Sequence, residues 1–227
     1  MRRAFDYVLG QSRRRKAFKD IDCKFSFIFR GGEIALPQNS EILDELIDAV
    51  LNSRSASITY RHFDGSTEQV TLHPLSLCIY DHQLYLVGET EDGRRHPYRF
   101  SRVVKVHDVK AVEFNYPPKS HYDAEQFFGD SFGVFVDPSL PVEEICLKLN
   151  ARWITFASSH RWHRTQRIEQ LDTGEVLVWI RARVCPEVIA WALGFGPEAV
   201  VLEPQSLRAK VAAQHRQAAE RYLEGTS

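Results

Sequence analysis

The chain has 227 residues, of which 44% are hydrophobic and 26% are charged, and its formal net charge is -1. These values are ordinary for a globular protein, and the length suits two domains. The near-neutral charge excludes a general electrostatic attraction to nucleic acid or to membranes, so any anion site must be local. No run approaches the roughly 18 apolar residues of a membrane-spanning helix.

Residues 1–39 form a predicted N-terminal arm. It contains a basic cluster, Arg13–Lys16. Because charge runs usually face solvent, a solvated arm is the favoured interpretation, and an arm that contacts phosphate is the alternative. No apolar core follows the positive charges, which argues against a signal peptide or a membrane anchor.

The cysteines and the lack of a targeting segment bear on the compartment. Cys23, Cys78, Cys146 and Cys185 are scattered and form no C-x-x-C pair. This usage is typical of reduced thiols and argues against a disulfide framework or a zinc site. We therefore expect a cytoplasmic protein without a bound metal.

Residues 40–51 carry the clearest helical pattern. Ser40 is a suitable N-cap, and Glu41 and Asp44 place negative charge near the start of the segment. Apolar residues recur at helical spacing and form one stripe, which comprises Ile42, Leu43, Leu46, Ile47, Val50 and Leu51. This spacing predicts a helix over residues 40–51.

From Ala56 onward the period of the pattern changes to two, which indicates strands. Turn residues recur at Asp64-Gly65, at Asp81-His82 and at residues 91–93. Pro74 cannot donate to a central ladder, so it predicts an edge or a corner that interrupts the strands. About five short strands with tight turns and no long helix between them predict a small antiparallel barrel.

The chain divides into two predicted domains joined by a linker. The first covers residues 40–115 with its leading helix, the linker covers 116–141, and the second domain covers 142–227. The linker is too rich in aromatic residues for a free tether, so we expect it to dock on a domain surface; these residues are Tyr122, Phe127, Phe128, Phe132 and Phe135.

The second domain shows a β-α-β-β-α-β-α order, which resembles the ferredoxin-like arrangement. Two motifs in it invite chemical interpretations that the context does not favour. His160 and His163 have H-x-x-H spacing without a nearby cysteine or carboxylate ligand, so a solvated loop or a basic stretch is favoured over a metal site. Gly194-Phe195-Gly196 follows a helix rather than a strand, so it is not a dinucleotide-binding loop.

Short motifs along the first domain resemble those of the WYL domain. They are Ile58-x-Tyr60, His73-Pro74-Leu75-x-Leu77, Leu84-Tyr85-Leu86 and Tyr98-Arg99-Phe100-Ser101-Arg102-Val103. The second half resembles the C-terminal extension that usually follows WYL domains. It does so in His163-Arg164-Thr165-Gln166, Asp172-x-Gly174, Trp191-x-Leu193-Gly194-Phe195-Gly196, Ala199-x-Val201-Leu202-Glu203-Pro204 and Leu207-Arg208.

This resemblance implies a transcriptional regulator of a bacterial or phage-defence type. It implies an α+β fold, in which an SH3-like or Sm-like antiparallel β-barrel precedes the ferredoxin-like domain. Such proteins sense a nucleotide or a nucleic acid, are commonly homodimers, and carry a winged helix-turn-helix ahead of the WYL domain. Residues 1–39 are too short for a complete winged helix, so we expect DNA contact through a missing or separate helix-turn-helix.

Two positions depart from the family pattern. Leu84 stands where the motif that names the family has tryptophan, which removes one large aromatic ring and leaves Tyr85. His96 stands where an arginine is usual before the aromatic residue of the last motif. Both departures fall in the segment expected to bind ligand.

Arg99 and Arg102 are the strongest candidates for ligand binding. A guanidinium group keeps its charge and matches phosphate oxygens with two parallel hydrogen bonds. The alternative is that both arginines form surface ion pairs with nearby acidic residues, namely Glu89, Glu91 and Asp92.

Four further residues are weaker candidates. Tyr60 offers either a stacking face for a base or a core ring, because Ile58 lies on the same side of the strand. His73 either donates to phosphate or caps a turn. Ser76 lies on the face opposite Leu75, and the Tyr85 ring points away from Leu84 and Leu86 toward either a pocket or the core.

The favoured function is the ligand-sensing and dimerisation region of a regulator, with a nucleotide or single-stranded nucleic acid as ligand. One alternative is a protein–protein interaction and dimerisation module without a ligand. A nuclease or phosphodiesterase is a third. Metal-binding carboxylates do not cluster in the barrel segment, and Glu143 and Glu144 lack an acid–base partner, so we expect no enzymatic activity and no cofactor.

Overall fold

A computed structural model describes residues 40–81 and 83–224 of the chain. The basic cluster Arg13–Lys16 and the rest of the predicted arm lie outside the described residues, as does His82 of the predicted Asp81-His82 turn. In the described part, no helix combines the length and the apolar composition that crossing a membrane requires.

The first half contains one helix and five strands. These are α1 (Ser40–Leu51), β1 (Arg54–Arg61), β2 (Thr67–Tyr80), β3 (Gln83–Thr90), β4 (Arg95–Arg99) and β5 (Val103–Glu113), with a 3-10 turn at Phe100–Arg102. Helix α1 has the predicted bounds and packs its apolar stripe against β1, β2 and β5. Its Leu46 and Ala49 are fully buried, together with Ile58 of β1.

The first sheet is antiparallel and has the strand order β4-β3-β2-β1-β5. The predicted hairpin at Asp64-Gly65 is confirmed: Arg61 pairs with Thr67, and Gly65 adopts a φ of 88°. In the described part, no ladder joins β4 to β5, so the sheet is open and the predicted closed barrel is not confirmed. A closed barrel requires pairing between the two edge strands of its sheet, which here are β4 and β5. After the 3-10 turn, β5 pairs with β1 instead.

Pro74 does not interrupt the strand in which it lies, contrary to the prediction. Strand β2 is continuous over fourteen residues. Its first part, up to Leu72, pairs with β1, and its second part, from Leu72 onward, pairs with β3. A register shift between Pro74 and Ser76 marks the change of direction. The corner predicted from Pro74 is therefore a bulge within one strand, which bends the strand without ending it.

The second half contains a four-stranded antiparallel sheet covered by helices. Its elements are β6 (Val142–Leu149), α3 (Ile154–Ser159) after a 3-10 turn at Ala151–Trp153, β7 (Arg167–Gln170), β8 (Val176–Arg183), α4 (Pro186–Leu193), β9 (Ala199–Glu203) and α5 (Gln205–Glu224). The sheet order is β7-β8-β6-β9. The predicted element order and the α+β class are confirmed, and the ferredoxin-like assignment stays an interpretation.

The linker packs against the first half, as its aromatic residues predicted. It contains a short helix, α2 (Ala124–Phe127). The Tyr122 ring is buried against Leu75 and Val87, and Phe127 and Phe128 pack beside it. The linker then continues to the second half, where Phe132 contacts Trp191. The linker thus packs against residues of both halves of the chain.

Candidate functional site

A cavity of about 510 Å³ lies between the first sheet and the end of the linker. The hairpin after β1, strands β3 and β4, and the 3-10 turn supply one wall, and the linker and the start of α4 supply the other. Its lining residues are Tyr60, His62, Phe63, Tyr85, His96, Pro97, Arg99, Arg102, Val134, Phe135, Val136, Asp137 and Glu187. The cavity thus brings together four of the six predicted site residues.

Arg99 is held in place by its strand and by a neutral partner. It pairs directly with Tyr85 across strands β4 and β3, so both side chains leave the same face of the sheet. Its Nε donates to Oε1 of Gln83 at 3.2 Å. Two of the acidic residues considered as ion-pair partners of Arg99 pair with other arginines instead. Glu89 pairs with Arg95, and Asp92 pairs with Arg94.

Arg102 is the last residue of the 3-10 turn, and its side chain extends toward the hairpin after β1. Its guanidinium lies over the Phe63 ring, with Cζ 5.6 Å from the ring centroid. In the part of the chain that the structure describes, neither Arg102 nor Arg99 has a carboxylate within 4.0 Å. Two cationic groups therefore line one cavity without an ion-pair partner.

The two tyrosines of the site play different parts. Tyr60 is only 4% exposed, and its ring packs edge-on against Tyr98, so it belongs to the core. Its hydroxyl accepts a hydrogen bond from the Arg99 backbone N–H at 3.2 Å, which anchors β4. Tyr85 is half-buried and lines the cavity, and burial is the main cause of its raised pKa. Its hydroxyl therefore stays protonated and available as a donor at neutral pH.

The structure places His73 and Ser76 away from the cavity, on the linker side of the sheet. The His73 ring stacks on Phe114 with centroids 4.5 Å apart. The Ser76 hydroxyl lies 2.5 Å from the Tyr122 hydroxyl. Ser76 thus contacts the linker, whereas His73 packs on the end of the first half. The predicted contact of these two side chains with the ligand of this cavity is not supported by their position.

The opposite wall of the cavity carries a carboxylate that no local sequence pattern indicates. Glu187, at the start of α4, accepts hydrogen bonds from the backbone N–H groups of Val134 at 3.0 Å and of Phe135 at 3.2 Å. Burial, followed by the negative charge of the nearby Glu187, raises the pKa of Tyr80 to about 12. The second half of the chain thus holds the linker segment that closes the cavity.

Two further cavities adjoin this one. One, of about 400 Å³, shares His62, Phe63 and Arg102 with it and adds Arg61 and Ser101. The other, of about 660 Å³, shares His62, His96, Val136 and Asp137 and adds Arg94, Arg95 and Glu68. The candidate site is therefore one part of a longer groove along the first sheet.

The H-x-x-H motif does not form a joint site. The His160 ring stacks on Phe156, whereas His163 is buried and places its Nδ1 2.8 Å from the Thr165 hydroxyl. Over residues 40–81 and 83–224, no three histidine, cysteine or acidic side chains are grouped so that they could hold a metal ion.

Comparison with known proteins gives a clear domain assignment. The WYL domain model matches residues 41–116, and the WCX domain model matches residues 143–219. No curated protein matches the sequence.

Two solved structures illustrate the similarity. Proteasome accessory factor B/C (PafBC) of Arthrobacter aurescens is 16% identical, with a TM-score of 0.35 over 85% of this chain and 29% of that chain. A CRISPR Cas-related protein is 12% identical, with a TM-score of 0.53 over 83% of this chain and 54% of that chain. The chain thus spans about half of the second protein and less of the first, and the second likeness concerns the fold alone. With its two matched domains in this order, the chain belongs to the WYL-domain family, with a WCX domain following the WYL domain.

Proposed function

We propose that this chain is the ligand-sensing region of a WYL-family transcriptional regulator. Its ligand is a nucleotide or a short single-stranded nucleic acid, bound in the cavity that Arg99 and Arg102 line. The observation that carries the proposal is the convergence of these two guanidinium groups on one cavity, without a carboxylate partner among the described residues.

The chemistry of the cavity suits a phosphate joined to an aromatic base. Guanidinium groups bind phosphate oxygens with charge-assisted hydrogen bonds, and tyrosine or phenylalanine rings offer surfaces on which a base can stack. The volume of about 510 Å³ lies within the range of small-molecule sites. Tyr85 supplies a hydroxyl donor beside the two arginines.

The position of Glu187 supports a sensing role for the cavity. A ligand between the arginines and the linker touches the segment whose Val134 and Phe135 amides this carboxylate holds. Because Glu187 belongs to α4, a shift of the segment on ligand binding acts directly on the WCX domain. The site therefore has a physical connection to the second half of the chain.

Replacement of both arginines by alanine tests the proposal. Each lost charge-assisted hydrogen bond to phosphate costs about 1.5–3 kcal/mol, so we expect the R99A/R102A variant to bind at least about a hundredfold more weakly. Thymidine monophosphate and an oligothymidylate are the probes, and titration calorimetry gives the affinities. The R216A/R221A variant removes two positive charges from the exposed part of α5 and is the matched control.

The possible contrary results separate the alternatives. Unchanged affinity in R99A/R102A, with wild-type binding intact, rules out this cavity. Failure of the unaltered chain to bind either probe favours an interaction module without a ligand. Cleavage of the oligonucleotide by the purified chain favours an enzyme.

The finer description of the fold belongs to the same proposal. We propose that the first sheet is an opened SH3-like or Sm-like barrel, since its strands succeed one another with tight turns around α1. We propose a ferredoxin-like second domain, supported by the antiparallel order β7-β8-β6-β9 and the β-α-β-β-α-β sequence of elements. Homodimer formation, DNA contact through a separate helix-turn-helix, a cytoplasmic location and the lack of enzymatic activity stay predictions.

A further inference from the structure

Phe63 lies in the hairpin after β1 and packs into neither core. Its side chain is 91% exposed, although the adjacent strand buries Tyr60 and Ile58. A single exposed apolar residue is common on protein surfaces, so exposure alone says little. The position of Phe63 is more informative, because its ring lines two adjoining cavities at the point where they meet.

The charges around Phe63 are favourable for an anionic chain. Arg102 lies over its ring and lines both cavities. The smaller cavity adds Arg61 and has no acidic lining residue, whereas the cavity on the other side contains Glu68 and Asp137. The carboxylate of the neighbouring Asp64 accepts bonds from the Ser66 amide and hydroxyl within the turn. A polyanion leaving the main cavity thus meets the least repulsion along Arg102, Phe63 and Arg61.

We propose that Phe63 is a stacking platform for a nucleobase, over which a single strand passes from the main cavity to the cavity of Arg61. Arg102 covers part of the ring, and the rest faces the open groove where a base can stack. The inference rests on the proposed function, and it selects a strand of several nucleotides over a free mononucleotide as the ligand. Phe63 is then a binding residue additional to Arg99 and Arg102.

Substitution of Phe63 by leucine tests the platform. The probe is a labelled oligothymidylate about eight nucleotides long, within the usual site size of small single-strand-binding folds. Loss of stacking on an aromatic ring weakens binding by about 5- to 100-fold, which we expect for F63L in fluorescence anisotropy. F63Y keeps the ring and should bind as the unaltered chain does. Y222L removes a comparably exposed aromatic ring from α5, outside the three cavities, and should also have no effect.

Thymidine monophosphate provides the second arm of the test. We expect its affinity to fall less in F63L than that of the oligonucleotide, because Arg99 and Arg102 remain in place. A normal oligonucleotide affinity in F63L, with reduced affinity in R99A/R102A, overturns the platform and leaves the proposed site standing. Equal affinity of the unaltered chain for the monophosphate and the oligonucleotide also overturns it. Absence of binding to both probes overturns both proposals.

Discussion

His163 is a buried base, and its protonation opposes folding. The residue is only 6% exposed, and burial lowers its pKa, with the positive charge of Arg164 acting in the same direction. Below the ordinary histidine pKa of about 6.5, the unfolded chain therefore binds more protons at this position than the folded chain. The contribution to stability is complete above that pH and decreases as the pH falls.

Replacement of His163 by glutamine should make the stability less dependent on pH. We expect the unaltered chain to lose more free energy of unfolding than H163Q between about pH 7.5 and about pH 5.5. Urea titrations at both pH values measure this difference. H215Q, at an exposed position of α5, is the control and should behave as the unaltered chain. An equal pH dependence in H163Q and the unaltered chain would show that another group is responsible.

At the residue scale, the sequence predicted those parts of the site that lie close together along the chain. Arg99 and Arg102 are three positions apart, and cross-strand pairing adds Tyr85. The bulge between Pro74 and Ser76 breaks the strand alternation from which Ser76 is predicted as a site residue. Glu187 joins the site through contacts with residues more than fifty positions away, so no local pattern could indicate it.

The linker fits between the two halves of the chain at Gly133. A side chain added there would place its Cβ 2.6 Å from Oε1 of Glu187, and equally close to Cζ of Tyr80. Tyr80 ends β2 and Glu187 begins α4, so one glycine permits close approach to both halves. The local sequence predicts α4 and strands on both sides of Pro74, but the need for glycine at position 133 follows only from the packing of Tyr80 and Glu187 around it.

Substitution of Gly133 by alanine should loosen this contact. Because the added methyl group meets atoms on both sides, we expect the free energy of unfolding to fall by about 1–3 kcal/mol. Chemical denaturation measures the change. G194A is the control, since a Cβ at that position lies at ordinary contact distance, 3.4 Å, from the nearest atoms. If G133A were as stable as G194A, the linker could move to accept the methyl group without a loss in the free energy of unfolding, and the prediction would be wrong.

At the scale of the whole molecule, the linker holds the WYL and WCX domains in one unit. On the WYL side, the Tyr116 hydroxyl donates to the Leu75 carbonyl at 2.9 Å. On the WCX side, Arg164 donates to the Gly129 carbonyl at 2.5 Å and pairs with Asp130 at 3.2 Å. The described residues accordingly fall into a single compact unit. We infer that the two domains lose structure together.

Hydrogen exchange tests whether this cooperativity depends on the linker contacts. In the unaltered chain, we expect the slowest amides of β3 and of β8 to report similar free energies of opening, because neither sheet opens without the other. The R164A/E187A variant removes the bond from Arg164 to the Gly129 carbonyl and the bonds that Glu187 accepts from the linker amides of Val134 and Phe135. The opening energies of β3 and β8 should then separate. R216A/R221A alters only exposed side chains of α5 and should keep them together. If they stay together in R164A/E187A as well, the coupling resides in the remaining contacts, among them that of Arg183 with the Leu140 carbonyl.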